Sequence, residues 1–180
     1  MKYVSHLLLS LCLFLSLSNQ VWSQDVFSIS EADGTVGFSG KHVGMTFKGE
    51  FLRWNAQLLL PPASAAYVNA EFDLSSAQTG DSTYDETLPE GDWFDVENHP
   101  RGVFKSNNVI ESNRGYEVEG ELTLRGKALP MTFILVKESG RLRSEFIVDR
   151  LAYGIGMESD PEAEWVNKEI KLSLDIPIPN

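Results

Sequence analysis

Cysteine is almost absent from this sequence, which contains one, Cys12, in 180 residues. It lies in an apolar run, Leu7 to Leu17, that follows Lys2 and ends in polar residues. Val21-Trp22-Ser23 then provides a cleavage site before Gln24. This order predicts a signal peptide over residues 1–23 that is removed on export. The mature protein would have no cysteine, which excludes disulfides and a catalytic Cys-His pair.

Long apolar runs are also missing. Leu7 to Leu17 is about eleven residues, short of the ~20 that a helix needs to span a bilayer, and no comparable run follows. The remaining residues, 24–180, number about 157 and suit a single domain with one hydrophobic core.

Cations are few: 15 lysines and arginines oppose 26 acidic residues, for a net charge of −11. This balance argues against nucleic acid or an anionic membrane surface as a partner and favours a neutral or apolar ligand. Solubility alone is the alternative explanation of the acidity.

Catalytic and metal-binding patterns are scarce. Only His42 and His99 remain after residue 23, and no Gly-x-Ser-x-Gly motif occurs. The carboxylates from Asp81 to Asp95 lack calcium-loop spacing and are interpreted as an acidic rim. We therefore predict no catalytic residue, no metal ligand and no cofactor. His42 is either a hydrogen-bonded core residue or a head-group contact, and His99 is interpreted as a turn residue.

The sequence is rich in segments in which apolar and polar residues alternate with period two. Glycine, proline and asparagine turns separate the alternating runs, which predicts an antiparallel barrel or sandwich of about eight strands. A barrel is favoured because closure removes exposed strand edges. The runs are Thr35 to His42, Thr46 to Leu60, Tyr67 to Leu74, Val103 to Ile110, Tyr116 to Arg125, Met131 to Val136, Leu142 to Val148 and Glu169 to Ile176.

Two stretches break the alternation. Residues 75–101 are polar and acidic, and we predict a short helix over Gly91 to Asn98 that ends before Pro100. Residues 150–165 are irregular and acidic. Both carry aromatic residues, so they are either lids over a barrel end or plugs packed into it.

Ordered motifs along the mature chain resemble the YceI-like family of exported polyisoprenoid-binding proteins. They are Phe38 with His42-Val43-Gly44, Phe47 to Phe51, Ser76 to Thr79, Asp92 to Pro100, Phe104-Lys105-Ser106, Gly120 to Gly126 and Tyr153-Gly154-Ile155. Departures are the missing basic and histidine positions in residues 82–89 and the acidic run Glu158 to Glu164. These departures concern the residues at the mouth of the barrel, and with them the head group that is recognised, more than the strands of the barrel.

The resemblance implies an all-β, eight-stranded antiparallel lipocalin-like barrel in the periplasm. Its apolar pore would bind an isoprenoid lipid of polyprenyl or quinone type, or another long-chain amphiphile, without catalysis. Family members often pair, so a homodimer is also implied. The alternatives are an accessory subunit of a membrane-associated cytochrome partner and, third, an enzyme acting on an amphiphile.

Candidate ligand-binding residues follow from the alternation and the motifs. For each of them, ordinary core packing explains the pattern as well as ligand contact does. They are Phe38, His42, Phe47, Phe51, Trp54, Phe72, Trp93, Phe94, Phe104, Leu122, Phe133, Phe146, Tyr153, Ile155 and Leu172.

Overall fold

A computed structural model describes residues 26–178 of the chain. Their strands form one antiparallel sheet in the order β1-β4-β5-β7-β8-β9-β10-β11-β2-β3-β6, which curls around a single core. The strands are β1 Phe27–Ser30, β2 Thr35–His42, β3 Met45–Phe51, β4 Trp54–Leu59, β5 Tyr67–Asp73, β6 Ala77–Gln78, β7 Arg101–Ser112, β8 Gly115–Leu124, β9 Lys127–Glu138, β10 Arg141–Asp149 and β11 Glu169–Pro177.

The predicted all-β, antiparallel, lipocalin-like architecture is confirmed, with a different strand count. The described residues form eleven strands instead of eight, because the predicted run Thr46 to Leu60 is divided into β3 and β4, and the short strands β1 and β6 are additional. The run Thr46 to Leu60 bends at Leu52-Arg53, and the segment that begins at Tyr67 bends at Leu74–Ser76.

These two bends bring the ends of the sheet together. β3 pairs with β2 and β4 with β5, although β3 and β4 are consecutive in the chain. At the bend, the Arg53 amide donates to the Ser76 hydroxyl at 3.0 Å, and the Asp73 amide donates to the Arg53 carbonyl. The sheet thereby curls around the core without an abrupt break in the chain.

Alternation places one face of each strand in the core. Val118, Leu135 and Leu142 are almost fully buried, whereas the glutamates that alternate with Val118 lie on the outer face. Gly49 allows the tight curvature at β3, because a side chain there would collide with the ring of Phe38.

β9 and β10 pair over a short distance only. Of the described residues, Val136 to Glu138 pair with Arg141 to Arg143, and the two strands have no further register beyond this point. β9 also contains Pro130, which has no amide hydrogen to donate and is typical of a strand edge. We call this unpaired stretch, residues 128–135 beside 144–149, the seam.

The predicted helix over Gly91 to Asn98 is wrong. The helix, α1, spans Ser82–Thr87, where the Asp81 carboxylate accepts from the amides of Thr83 and Tyr84 and so provides an N-cap. Residues 91–98 form successive turns, and Asp95 has a left-handed φ of 51°, which interrupts a helix.

One end of the barrel carries the long segments. The Val43-Gly44 turn, residues 79–100, the Arg125-Gly126 turn and residues 150–168 all lie there, and we call it the loop end. Within residues 26–178, no helix is long and apolar enough to cross a membrane.

Candidate functional site

The inward faces of the strands enclose a cavity of about 140 Å³, which we call the core cavity. Every described side chain that lines it is apolar except that of Arg150. Aromatic rings form much of the wall: Phe133 stacks on Phe146 with centroids 4.7 Å apart and contacts Phe104 at 5.3 Å. Such a lining offers contact to an apolar molecule but few fixed hydrogen-bonding partners.

Most of the candidate residues from the sequence lie on this wall. His42 lines a neighbouring cavity instead. Those on the wall of the core cavity are Phe38, Phe47, Phe51, Trp54, Phe72, Trp93, Phe94, Phe104, Leu122, Phe133, Phe146, Ile155 and Leu172.

Tyr153 lines neither cavity. Its ring is buried, and its hydroxyl donates to the Leu122 carbonyl at 3.2 Å. Burial raises the pKa of Tyr153 to about 12. The hydrogen bond of Tyr153 thus holds residues 151–153 against β8.

Sequence reasoning missed the aliphatic and small members of the wall. Ile29, Val36, Leu58, Ala56 and Ala70 all line the core cavity. Their alternation marks an inward position, but the same pattern describes a filled core. Arg150 had no signal in the sequence, because a lone arginine after a strand is normally exposed.

A second cavity of about 170 Å³ lies at the loop end, and we call it the mouth cavity. It shares Phe47, Leu88, Trp93 and Val166 with the core cavity, so the two are direct neighbours. Its other lining residues are mostly polar: His42, Thr79, Thr83, Tyr84, Thr87, Ser159, Asp160 and Trp165.

His42 and Tyr84 form the central polar pair of the mouth cavity. The imidazole Nδ1 and the phenolic oxygen lie 2.7 Å apart and are hydrogen-bonded, which joins the end of β2 to α1. The ring of Tyr84 also packs on Phe47, with centroids 5.8 Å apart. The two predicted roles of His42 are therefore compatible. The histidine is hydrogen-bonded within the protein, and it also lines a cavity in which it could contact a head group.

Arg150 and Asp160 form a buried ion pair beneath the mouth. Their side chains are 2% and 4% exposed, and the charged atoms lie 2.7 Å apart. The guanidinium also donates to the carbonyls of Ile155 and Val166, and the Asp160 carboxylate accepts from the amides of residues 164–166. Burial lowers the pKa of Arg150, an effect that the charge of Asp160 opposes. Through these hydrogen bonds the ion pair holds the backbone of residues 150–166 in place.

Asp92 and Arg125 join the other segments of the loop end. Asp92 accepts from the amides of Glu158 and Ser159, at 2.8 and 2.9 Å, and from the Ser159 hydroxyl. Burial alone would raise the pKa of Asp92, but these hydrogen bonds outweigh it and the pKa is lowered. Arg125 donates to the carbonyls of Asp92 and Gly154. Three motifs that are distant in sequence therefore meet here.

Within residues 26–178, no group of three or more His, Cys, Asp or Glu side chains is placed to hold a metal ion. What the arrangement offers is an apolar cavity next to a mouth cavity whose wall includes a few polar side chains, which suits a long apolar molecule with one small polar terminus.

Comparison with known proteins places the chain in a family. The sequence profile of the YceI-like domain matches residues 27–178, nearly all of the chain that the structure describes. The chain belongs to the YceI-like family. A UPF0312 protein of Vibrio cholerae is 27% identical over 110 residues, which cover 59% of this chain and 58% of that protein's length.

Solved structures share the fold. BcnA of Burkholderia cenocepacia has a TM-score of 0.73 at 24% identity, covering 86% of this chain and 100% of that one. A polyisoprenoid-binding domain from Saccharophagus degradans, implicated in plant cell wall breakdown, has a TM-score of 0.57 at 12% identity, covering 84% and 98%. At these identities the similarity establishes the architecture of the YceI-like domain.

Proposed function

We propose that this YceI-like protein is a non-enzymatic carrier that binds the tail of an isoprenoid lipid in its core cavity. The observation that supports it best is the lining of that cavity, in which, among residues 26–178, Arg150 is the only residue that is not apolar. Burial of an isoprenoid tail gains about 25 cal/mol for each Å² of apolar surface removed from water, so several isoprene units give micromolar affinity without polar contacts. The solved polyisoprenoid-binding domain with the same fold is consistent with this proposal.

The experiment is recovery of a bound lipid. We expect native mass spectrometry of the purified protein to show a stoichiometric apolar ligand, or binding of an added isoprenoid quinone. Ala70→Phe should lower the affinity at least about tenfold, because Ala70 lines the core cavity and a phenyl ring there would occupy the space of the tail.

Ala128→Phe is the matched control. Ala128 lies on β9, is exposed and lines neither cavity, so the same substitution should leave binding unchanged. Thermal unfolding of both variants separates lost binding from lost folding. Equal affinity of the wild type and Ala70→Phe would contradict the proposal.

The site of action follows from the predicted signal peptide, whose residues 1–23 lie outside the described residues. We propose that the mature carrier begins at Gln24 and works in the periplasm. N-terminal sequencing of the protein recovered from the periplasmic fraction tests this, and an intact Met1 in that fraction would contradict it.

A further inference from the structure

We propose that the mouth cavity selects a neutral, hydrogen-bonding head group, an alcohol or a quinone carbonyl, and rejects a phosphate or diphosphate. This rests on the proposed function, since it places the head group of a lipid whose tail fills the core cavity. Phe47, Leu88, Trp93 and Val166 line both cavities, so a tail that reaches them brings its polar end into the mouth cavity.

Some polar groups of the mouth cavity are already engaged with the protein. The Thr79 hydroxyl bonds to Asp85, and the Thr87 hydroxyl donates to the carbonyl of Thr83. The Ser159 hydroxyl donates to Asp92.

The pair of Tyr84 and His42 keeps spare hydrogen-bonding capacity. A phenolic hydroxyl has one donor and two acceptor positions, and the bond to His42 uses one of these. One polar pair above an apolar cavity matches a head group with one or two neutral oxygens.

Charge at the mouth cavity disfavours an anion. Of the part of the chain that the structure describes, no lysine or arginine lines this cavity, and the one carboxylate that does, that of Asp160, is paired with Arg150. Lys41 and Lys48 are exposed and alternate with the cavity-lining His42 and Phe47, which puts them on the outer face of their strands. Proteins bind diphosphates with arginine or lysine, and burial of such an anion without them is costly.

Two probes with the same C20 tail test the selectivity. We expect the full-length mature protein to bind geranylgeraniol at least about tenfold more tightly than geranylgeranyl diphosphate, measured by tryptophan fluorescence and native mass spectrometry. Trp93 lines both cavities and so reports on either probe.

A cation placed in the mouth cavity should reverse the preference. Thr87→Lys should raise the affinity for the diphosphate relative to that for the alcohol by at least about tenfold. Thr132→Lys, at an exposed position on β9 that lines neither cavity, adds the same charge elsewhere and should change neither affinity by more than about threefold.

Tyr84→Phe tests the polar pair directly. Removal of the hydroxyl should weaken alcohol binding by about three- to tenfold, and Tyr67→Phe, which lines neither cavity, should have no effect. Circular dichroism and thermal unfolding establish that each variant is folded.

The outcomes separate this inference from the proposed function. Diphosphate binding as tight as alcohol binding in the wild type would overturn the selectivity and leave the carrier proposal intact. Failure of both probes and of an isoprenoid quinone to bind would overturn the carrier proposal and the inference with it. Equal effects of Thr87→Lys and Thr132→Lys would also contradict the inference, because the net charge and not the mouth cavity would then decide affinity.

Discussion

At the scale of single residues, Arg150 is the most constrained side chain of the loop end. Its guanidinium donates to carbonyls of Ile155, Asp160 and Val166 as well as to the Asp160 carboxylate. It also lies over the ring of Trp93, 5.7 Å from the centroid. The hydrogen-bond partners all belong to residues 150–168, and the contact with Trp93 joins that segment to residues 79–100, so one side chain connects the two segments that line the mouth cavity.

We expect Arg150→Met to destabilise the protein by about 3–5 kcal/mol, since it leaves Asp160 as an uncompensated buried charge. Urea unfolding measures the loss. Lys168→Met is the control, because Lys168 forms an exposed ion pair with Asp149 at 3.8 Å and should cost no more than about 1 kcal/mol. Similar losses in the two variants would show that the buried pair contributes no more than a surface one.

Tyr153→Phe should separate stability from binding. The variant loses the hydrogen bond to the Leu122 carbonyl and should be less stable by about 1 kcal/mol. Because Tyr153 lines neither cavity, we expect the affinity for an isoprenoid quinone to stay unchanged. If the affinity falls markedly although all of the variant is folded, Tyr153 is a ligand contact, as the sequence predicts.

At the scale of elements, the strands were predictable and the segments between them were less so. Strand alternation is a local pattern, and the eight predicted runs reappear in the structure, one of them divided by a bend. The helix was misplaced because Pro100 marks an end but no start. Its true start depends on the Asp81 side chain, and Asp85, which also bonds to Thr79, fixes the helix against β6.

The seam between β9 and β10 lacks strand pairing and predicts uneven amide protection. Beyond Val136 and Arg143 the described residues show no pairing of the two strands. We expect alternate amides in residues 128–135, those directed away from β8, to exchange quickly with solvent in NMR hydrogen exchange. The amides of β8, which is paired on both sides, should exchange slowly. Uniform slow exchange across β9 would contradict an open seam.

At the scale of the whole molecule, the sequence could predict the barrel and its inward face but not whether the interior is hollow. Phe133 and Phe146 alternate inward in either case, and only their packing in three dimensions leaves the core cavity. The mouth cavity was less predictable still, because it joins His42 to Tyr84 across 42 positions of sequence. Contacts between distant segments have no local pattern.

Acid should destabilise the whole protein through its buried and bonded carboxylates. Burial acts to raise the pKa values of Asp92, Asp160 and Asp175, but hydrogen bonds and neighbouring arginines outweigh it, and all three pKa values are lowered. A carboxyl group whose pKa is lower in the folded state contributes stability above its unfolded pKa, about 3.9, and loses it as the pH falls further.

We therefore expect the free energy of unfolding to change little between about pH 6 and 5 and to decline below about pH 4. Chemical denaturation at a series of pH values measures this. Asp160→Asn should be less stable at neutral pH and should show a shallower decline in acid, because it has one such carboxylate fewer. Glu121→Gln, on the exposed face of β8, should follow the wild type. A curve that stays flat down to about pH 2.5 would mean that these aspartates have nearly the same pKa in the folded and unfolded chain, and that their hydrogen bonds and ion pairs contribute little to stability.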